Sequence, residues 1–71
     1  MSSWDLLLNG IQDLISKELD IIGESNVVDN KYDENEQKVL NKLQPFFTDP
    51  LFNKIYPHCF GIVYIQRLQN K

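Results

Sequence analysis

Residues 2–22 have the sequence SSWDLLLNGIQDLISKELDII and carry the strongest structural signal in the chain. Their apolar residues recur every three or four positions, which places them on one broad face of an α-helix. This face comprises Trp4, Leu7, Leu8, Ile11, Leu14, Ile15, Leu19, Ile21 and Ile22. Ser2 and Asp5 have the spacing of an N-terminal capping box, and Gly23 stands where helices commonly end. The sequence therefore predicts a first helix over about 3–22.

A second helix is predicted downstream of a polar connection. Asp33 followed by Glu36 repeats the capping-box pattern, and Val39, Leu40 and Leu43 then recur at helical spacing. Pro45 has no amide hydrogen and disfavours helical geometry at the residue before it. We therefore expect this helix to cover about 34–44.

The next segment is punctuated by proline. Thr48 or Asp49 can cap a short third helix over about 50–56, with Pro50 in its first turn, where a missing amide hydrogen costs nothing. Pro57 is expected to end this helix, because proline in a helix interior removes one hydrogen bond and clashes with the preceding turn.

The last segment, 58–70, is open to two interpretations. Its apolar run at 62–65 favours a strand by propensity, yet a lone strand needs a pairing partner, which only Val27 and Val28 could provide. We interpret it as a fourth helix, with the strand as the alternative. The predicted fold is an all-α bundle of three to four helices in a single small domain, 1–71.

The segment 45–64 concentrates six of the eight aromatic residues and all three prolines. A chain of 71 residues has little interior in which to bury them. Phe47 and Phe60 are expected to supply core, whereas part of the remaining apolar surface should stay exposed and mark an interaction site. The residues predicted to contact a partner are Phe46, Phe52, Tyr56, Ile62 and Ile65.

The composition indicates how so small a chain is stabilised. Domains of this size usually supplement their core with disulfides, a metal or another subunit. One cysteine excludes an internal disulfide, and one cysteine with one histidine cannot complete a zinc site. We therefore expect no metal and no cofactor, and a second copy or a partner protein instead. The single cysteine favours a reducing, cytoplasmic location, and no apolar run is long enough for a membrane span.

Catalysis is not expected. His58 and Cys59 are the sharpest candidates for a base and a nucleophile, but side chains that are adjacent in sequence point apart on a helix or a strand. We interpret Cys59 as a small buried residue and place His58 in a polar turn after Pro57. No catalytic residue is assigned.

Charge is divided unevenly along the chain. Residues 1–36 carry nine acidic residues and two lysines, a net −7, whereas residues 37–71 carry one acidic and five basic residues, a net +4. The halves can attract each other, or the acidic face can steer a partner with a basic surface. Glu18 falls within the apolar face of the first helix, where it either meets a cation such as Arg67 or reaches water near the helix end.

The runner-up function is a small DNA-binding regulator. The helices predicted at 34–44 and 50–56 have the spacing of a helix-turn-helix. However, they supply only three lysines, and the chain's net charge is −3 with a pI near 4.8. Phosphate binding gains affinity from clustered lysine and arginine, so nucleic acid is the less favoured partner.

The predicted element order resembles that of the immunity proteins that neutralise nuclease colicins. The resemblance rests on the acidic start of the second helix, a short third helix ending in Tyr56 and Pro57, and a fourth helix opening with Gly61, Ile62 and Val63. It covers about half of the chain, lacks the family's double tyrosine and has a shorter last connection, so no residue role is transferred. It implies a protein that binds a basic enzyme.

The function that the sequence favours is therefore non-catalytic protein binding by occupation of a partner's surface. Proteins of this kind include small inhibitors, immunity or antitoxin-like factors, viral proteins that block a host component, and accessory subunits of complexes. Aromatic anchors would supply the affinity.

Overall fold

The computed structural model describes residues 3–70, which form three α-helices joined by short 3₁₀ turns. The α-helices are α1 (Ser3–Ile22), α2 (Tyr32–Lys42) and α3 (Pro50–Gln69), and the 3₁₀ turns are Glu24–Asn26, Asp29–Lys31 and Gln44–Thr48. The predicted all-α fold is confirmed. Within 3–70 there is no strand, so the alternative of a strand in the last segment is wrong. None of the helices in this range is long and apolar enough to cross a membrane.

Helix α1 has the predicted bounds. Its end is fixed by Gly23, which has a φ of 97° and donates its amide hydrogen to the carbonyl of Leu19 at 3.0 Å. A positive φ turns the chain away from the helix axis, and glycine adopts such a conformation without steric cost. Ile11, Ile15 and Leu19 form the buried stripe. The predicted cap at Ser2 lies outside the described residues.

Helix α2 begins and ends earlier than predicted. The residue that precedes it, Lys31, makes no side-chain capping bond, and Asp33 lies inside the first turn. The capping box at Asp33 is therefore wrong, although an acidic residue in the first turn still stabilises the helix dipole. The helix ends at Lys42, before Pro45, which lies in the first turn of the following 3₁₀ segment, a position that suits proline.

Helix α3 starts as predicted but does not stop at Pro57. The Asp49 side chain accepts a hydrogen bond from the Leu51 amide at 2.9 Å, and Pro50 is the first residue of the helix. The predicted break between 50–56 and 58–70 is wrong, because one helix runs through Pro57. Pro57 and Asn53 are both exposed, so water can solvate the carbonyl that has no helical partner.

The buried face of α3 explains why the helix continues through proline. Four aromatic rings stack along it at intervals of four residues, with neighbouring centroids 5.4 to 6.1 Å apart. This aromatic ladder consists of Phe52, Tyr56, Phe60 and Tyr64. Interior proline costs a helix about 3 kcal/mol, whereas each fully buried aromatic side chain contributes roughly 1.5 to 3 kcal/mol. Burial of the ladder therefore outweighs the proline.

The three helices run up, down and up. Arg67, near the end of α3, contacts Ser16 on the second half of α1, so α3 runs parallel to α1. Helix α2 runs antiparallel to α3, because Asn35 near its start bonds Tyr64 near the end of α3. Phe47, just after α2, meets Phe52 near the start of α3.

A buried amide ties the α1–α2 connection to α3. Asn35 has no solvent exposure, and its Nδ2 donates to the Asn26 carbonyl at 2.8 Å and to the Tyr64 hydroxyl at 2.9 Å. The Tyr64 hydroxyl in turn donates to the Val28 carbonyl at 2.7 Å. Val27 packs into the core beside it. These bonds pair the Asn26 carbonyl and give the Val28 carbonyl a second donor beside the Lys31 amide.

Candidate functional site

The structure separates the five residues predicted to contact a partner into two groups. Phe52 and Tyr56 belong to the aromatic ladder and are buried. Phe46 and Ile65 are exposed by 46% and 51%, and Ile62 is half-buried. The second group offers exposed side chains to a partner, and Phe52, although buried, borders an apolar groove. Partner binding by the five residues stays a prediction.

Phe46 is exposed on one side and stacked on the other. Its ring lies 5.7 Å from that of Phe52 with an interplanar angle of 24°, while Phe47 meets Phe52 edge-on. The 3₁₀ turn Gln44–Thr48 places these two phenylalanines over the start of α3. Phe46 is thus held in place by the core while it still presents an apolar surface.

An apolar groove runs between Phe46 and the first half of α1. Seven uncharged residues line it: Leu6, Leu7, Gly10, Ile11, Leu14, Phe46 and Phe52. We call it the Gly10 groove. Leu6, at its outer edge, is 61% exposed. An exposed and continuous apolar surface of this kind is typical of an interaction site.

Gly10 forms the floor of this groove and has no role that the rest of the chain explains. A Cβ there would meet no atom within 4 Å beyond the adjoining helix backbone. Gly23, in contrast, is needed for its positive φ, and a Cβ on Gly61 would lie 3.4 Å from the Tyr32 hydroxyl. Glycine inside a helix costs about 1 kcal/mol relative to alanine. The cost at Gly10 is not offset by any contact within the described chain.

A second depression lies on the same side of α1, toward its C-terminal end. It is lined by Glu18, Ile21, Ile22, Lys38, Val39, Asn41 and Lys42. Leu7, Leu14 and Ile21 follow one another at intervals of seven residues, so the second depression extends the line of the Gly10 groove. Ile21, in this second depression, is 75% exposed. We call the second depression the lysine end.

A further exposed apolar surface lies on α3, away from the groove. It is formed by Pro57, His58, Gly61, Ile62, Ile65 and Gln66. We call it the α3 patch. A Cβ on Gly61 would contact the Tyr32 hydroxyl at 3.4 Å, so this glycine, unlike Gly10, does not border open space.

The groups that could support catalysis are kept apart. Cys59 is fully buried, as predicted, and burial raises the pKa of its thiol. His58 is exposed and lies within α3 rather than in the polar turn expected after Pro57. Burial also raises the pKa of Tyr56, with a smaller contribution from the Glu36 carboxylate. Residues 3–70 contain no cluster of three histidine, cysteine or carboxylate side chains that could hold a metal.

Arg67 approaches α1 but does not pair with Glu18. Its Nη2 donates to the Asp20 carboxylate at 2.6 Å and to the hydroxyl and carbonyl of Ser16 at 2.7 and 3.0 Å. Glu18 is half-buried at the lysine end, beside Lys38 and Lys42. Arg67 therefore fastens α3 to α1, and the lysines of α2 are the cations nearest the second depression.

No family model, curated protein or solved structure matches this chain. The element order behind the resemblance to colicin immunity proteins is also absent, since the predicted third and fourth helices are one helix. The groove must therefore be interpreted from its own geometry.

Sequence reasoning missed Leu6 and Gly10. Leu6 falls off the apolar face that predicts the core, and Gly10 is a helix-weakening residue in the middle of α1. An apolar residue on the polar side of a helix, four positions from an unexplained glycine, is the signal that could have found the groove.

Proposed function

We propose that this chain is a non-catalytic protein-binding module whose contact surface is the Gly10 groove. The observation that carries the proposal is the bare backbone at Gly10 between exposed Leu6 and Phe46, where a Cβ would meet nothing. Glycine at such a place lets another backbone or side chain approach closely. The helix stability lost at Gly10 is then compensated in the complex.

Phe46 has the properties of a binding anchor. It is already immobilised by stacking on Phe52, so binding costs it little rotamer entropy. Aromatic side chains at the centre of an interface commonly account for much of its affinity. Leu6 on the opposite wall would close the contact around an inserted side chain.

The proposal covers small inhibitors, immunity or antitoxin-like factors, viral proteins that block a host component, and accessory subunits of complexes. All of them act by occupying a partner's surface. A fully buried free thiol is compatible with a reducing compartment, which supports the cytoplasm as the place of action.

The test compares two variants that introduce the same charge into different apolar surfaces. Leu6→Asp changes the groove, and Ile65→Asp changes the α3 patch at similar exposure. Each chain is immobilised and exposed to extract from the source organism, and captured proteins are quantified by mass spectrometry. Circular dichroism confirms that both variants stay helical.

We expect the wild-type chain and Ile65→Asp to capture the same protein stoichiometrically, and Leu6→Asp to lose it by at least tenfold. If capture is lost with Ile65→Asp and kept with Leu6→Asp, the α3 patch is the contact surface and the proposal that the Gly10 groove binds the partner is wrong. A monomeric wild-type chain that captures nothing would contradict the function itself.

A further inference from the structure

We infer that the occupant of the Gly10 groove is an amphipathic helix of a different protein, with acidic residues at the end that lies over Lys38 and Lys42. This inference rests on the proposed function and specifies the partner's shape and charge. It follows from the length of the surface that the Gly10 groove and the lysine end form together, from the absence of a side chain at Gly10 and from the charge of the lysine end.

The length suits one helix. Leu6 and Ile21 lie at the two ends of the exposed apolar line on α1, fifteen residues apart. At about 1.5 Å per residue, this line is roughly 22 Å long, or about four turns of a second helix laid beside it. A helix of that length presents three or four apolar side chains on one face, which suits a groove rather than a single pocket.

The floor permits close helix packing. Gly10 has no side chain, and a Cβ there would meet open space, so a neighbouring helix axis can come nearer at this point than beside Leu6 or Leu14. Packed helices lie about 8 to 10 Å apart, and the smaller distances occur where small residues meet. Phe46 would then flank the bound helix on the side away from α1.

The charge distinguishes the two ends. All residues that line the Gly10 groove are uncharged, whereas the lysine end is lined by Lys38, Lys42 and one acidic residue, Glu18, which gives its lining a net charge of +1. The chain as a whole carries −3. A locally positive end on an acidic protein is complementary to carboxylates of a partner.

This charge pattern also disfavours a second copy of the chain bound with the same groove. A symmetric contact places identical surfaces against each other. The lysine ends would then gain no carboxylate from the facing groove, whose lining holds no acidic residue apart from Glu18. A different protein whose helix has an acidic end would supply these carboxylates directly.

The experiment uses two fluorescein-labelled peptides of sixteen residues with identical leucines at positions i, i+3, i+4, i+7 and i+11. One peptide carries three glutamates in its first turn and the other three lysines. Their binding to the full chain is measured by fluorescence anisotropy at low and high salt. The protein variants are Lys38→Glu/Lys42→Glu and, as a control, Lys54→Glu, an exposed lysine of α3 that lines neither depression.

Exposed ion pairs contribute up to about 1 kcal/mol each, so we expect the glutamate peptide to bind at least fivefold more tightly than the lysine peptide. The preference should shrink with salt, reverse in Lys38→Glu/Lys42→Glu and persist in Lys54→Glu. Equal binding of both peptides by every variant would contradict the inference that the partner helix has an acidic end.

Other outcomes separate this inference from the proposed function. If neither peptide binds, while Leu6→Asp still abolishes capture from extract, the helical occupant is wrong and the groove function stands. A dimer that light scattering detects in the wild-type chain but not in Leu6→Asp would identify a second copy as the occupant and overturn the inference. If neither peptide binds and the wild-type chain captures no protein from the extract, both the inference and the proposed function are contradicted.

Discussion

The Nδ2 of Asn35 donates a hydrogen bond to the hydroxyl of Tyr64, 29 positions away, at 2.9 Å. Because the Tyr64 hydroxyl in turn donates a hydrogen bond to the Val28 carbonyl, one phenol joins α2, α3 and the connection after α1. Buried polar groups of this kind are costly to leave without partners.

Tyr64→Phe should therefore destabilise the chain by about 1 to 3 kcal/mol, since it leaves one buried amide proton of Asn35 unpaired and removes one of the two hydrogen bonds that the Val28 carbonyl accepts. Urea denaturation followed by circular dichroism measures the change in the free energy of unfolding. Tyr56→Phe is the matched control, because the Tyr56 hydroxyl is buried in the same ladder without a hydrogen-bond partner in the described chain. It should change stability by less than about 0.5 kcal/mol or increase it. Equal losses in the two variants would contradict the role of the Asn35–Tyr64 bond.

Gly10→Ala should stabilise the isolated chain by about 0.5 to 1 kcal/mol, because alanine favours a helix and its Cβ meets open space. The same substitution should weaken the binding of the partner. Gly23→Ala is the contrast, since a φ of 97° is strained for alanine, and it should destabilise by about 1 kcal/mol. Thermal melts give the stabilities, and titration with the captured partner gives the affinities. A Gly10→Ala chain that is more stable and binds unchanged would remove the functional reason for this glycine.

Pro57→Ala should stabilise α3 by roughly 1 to 3 kcal/mol, because it restores an amide hydrogen to a continuous helix at an exposed position. The unfolding midpoint in urea should rise without loss of helical signal. Pro50→Ala is the control in the first turn, where proline removes no helical hydrogen bond and the effect should be under about 0.5 kcal/mol. A destabilising Pro57→Ala would show that proline shapes the helix in a way that the ladder requires.

Stability should fall in alkaline solution. Burial raises the pKa of Cys59 above its ordinary value of 9.0 and that of Tyr56 above 10.0. Above those ordinary values the unfolded chain loses protons that the folded chain retains, so the unfolded state binds fewer protons and the free energy of unfolding declines as pH rises. The full contribution is therefore present below about pH 9.

Urea unfolding at about pH 8, 9.5 and 10.5 measures this decline, whose limiting slope is about 1.4 kcal/mol per pH unit for each group. Cys59→Ala should shift the onset of the decline in the free energy of unfolding to higher pH. Tyr56→Phe should make the decline less steep at the highest pH. The slopes are compared rather than the absolute stabilities, because Cys59→Ala also removes packing. Unaltered slopes in both variants would contradict the assignment of the alkaline loss of stability to Cys59 and Tyr56.

The sequence was sufficient to predict those elements whose local signals agree with the tertiary packing. The repeat of apolar residues and Gly23 defined α1, and Asp49 with Pro50 correctly marked the start of α3. The prediction at Pro57 was wrong because the penalty of proline is visible in the local sequence, whereas the burial of Tyr56 and Phe60 that outweighs it depends on α1 and α2 being in place.

The site was less predictable for a related reason. Once α3 is continuous, helical spacing turns Phe52 and Tyr56 inward, so two of the five predicted contact residues enter the core. Ile65 remains exposed because it lies off that face of α3, and Phe46 is half exposed in the 3₁₀ turn before α3. The groove itself requires the 3₁₀ turn at Gln44–Thr48 to meet α1, which is a long-range contact that no local pattern encodes.

Cys59 lies two residues after the exposed Pro57, yet its own side chain has no solvent exposure. A thiol reagent can reach its sulfur only after α3 separates from the other helices. The labelling rate of this single native cysteine therefore counts the openings of the bundle without any engineered probe. If the groove partner binds only the closed bundle, it should slow that labelling in proportion to its occupancy, so that one buried sulfur atom reports on binding at the groove.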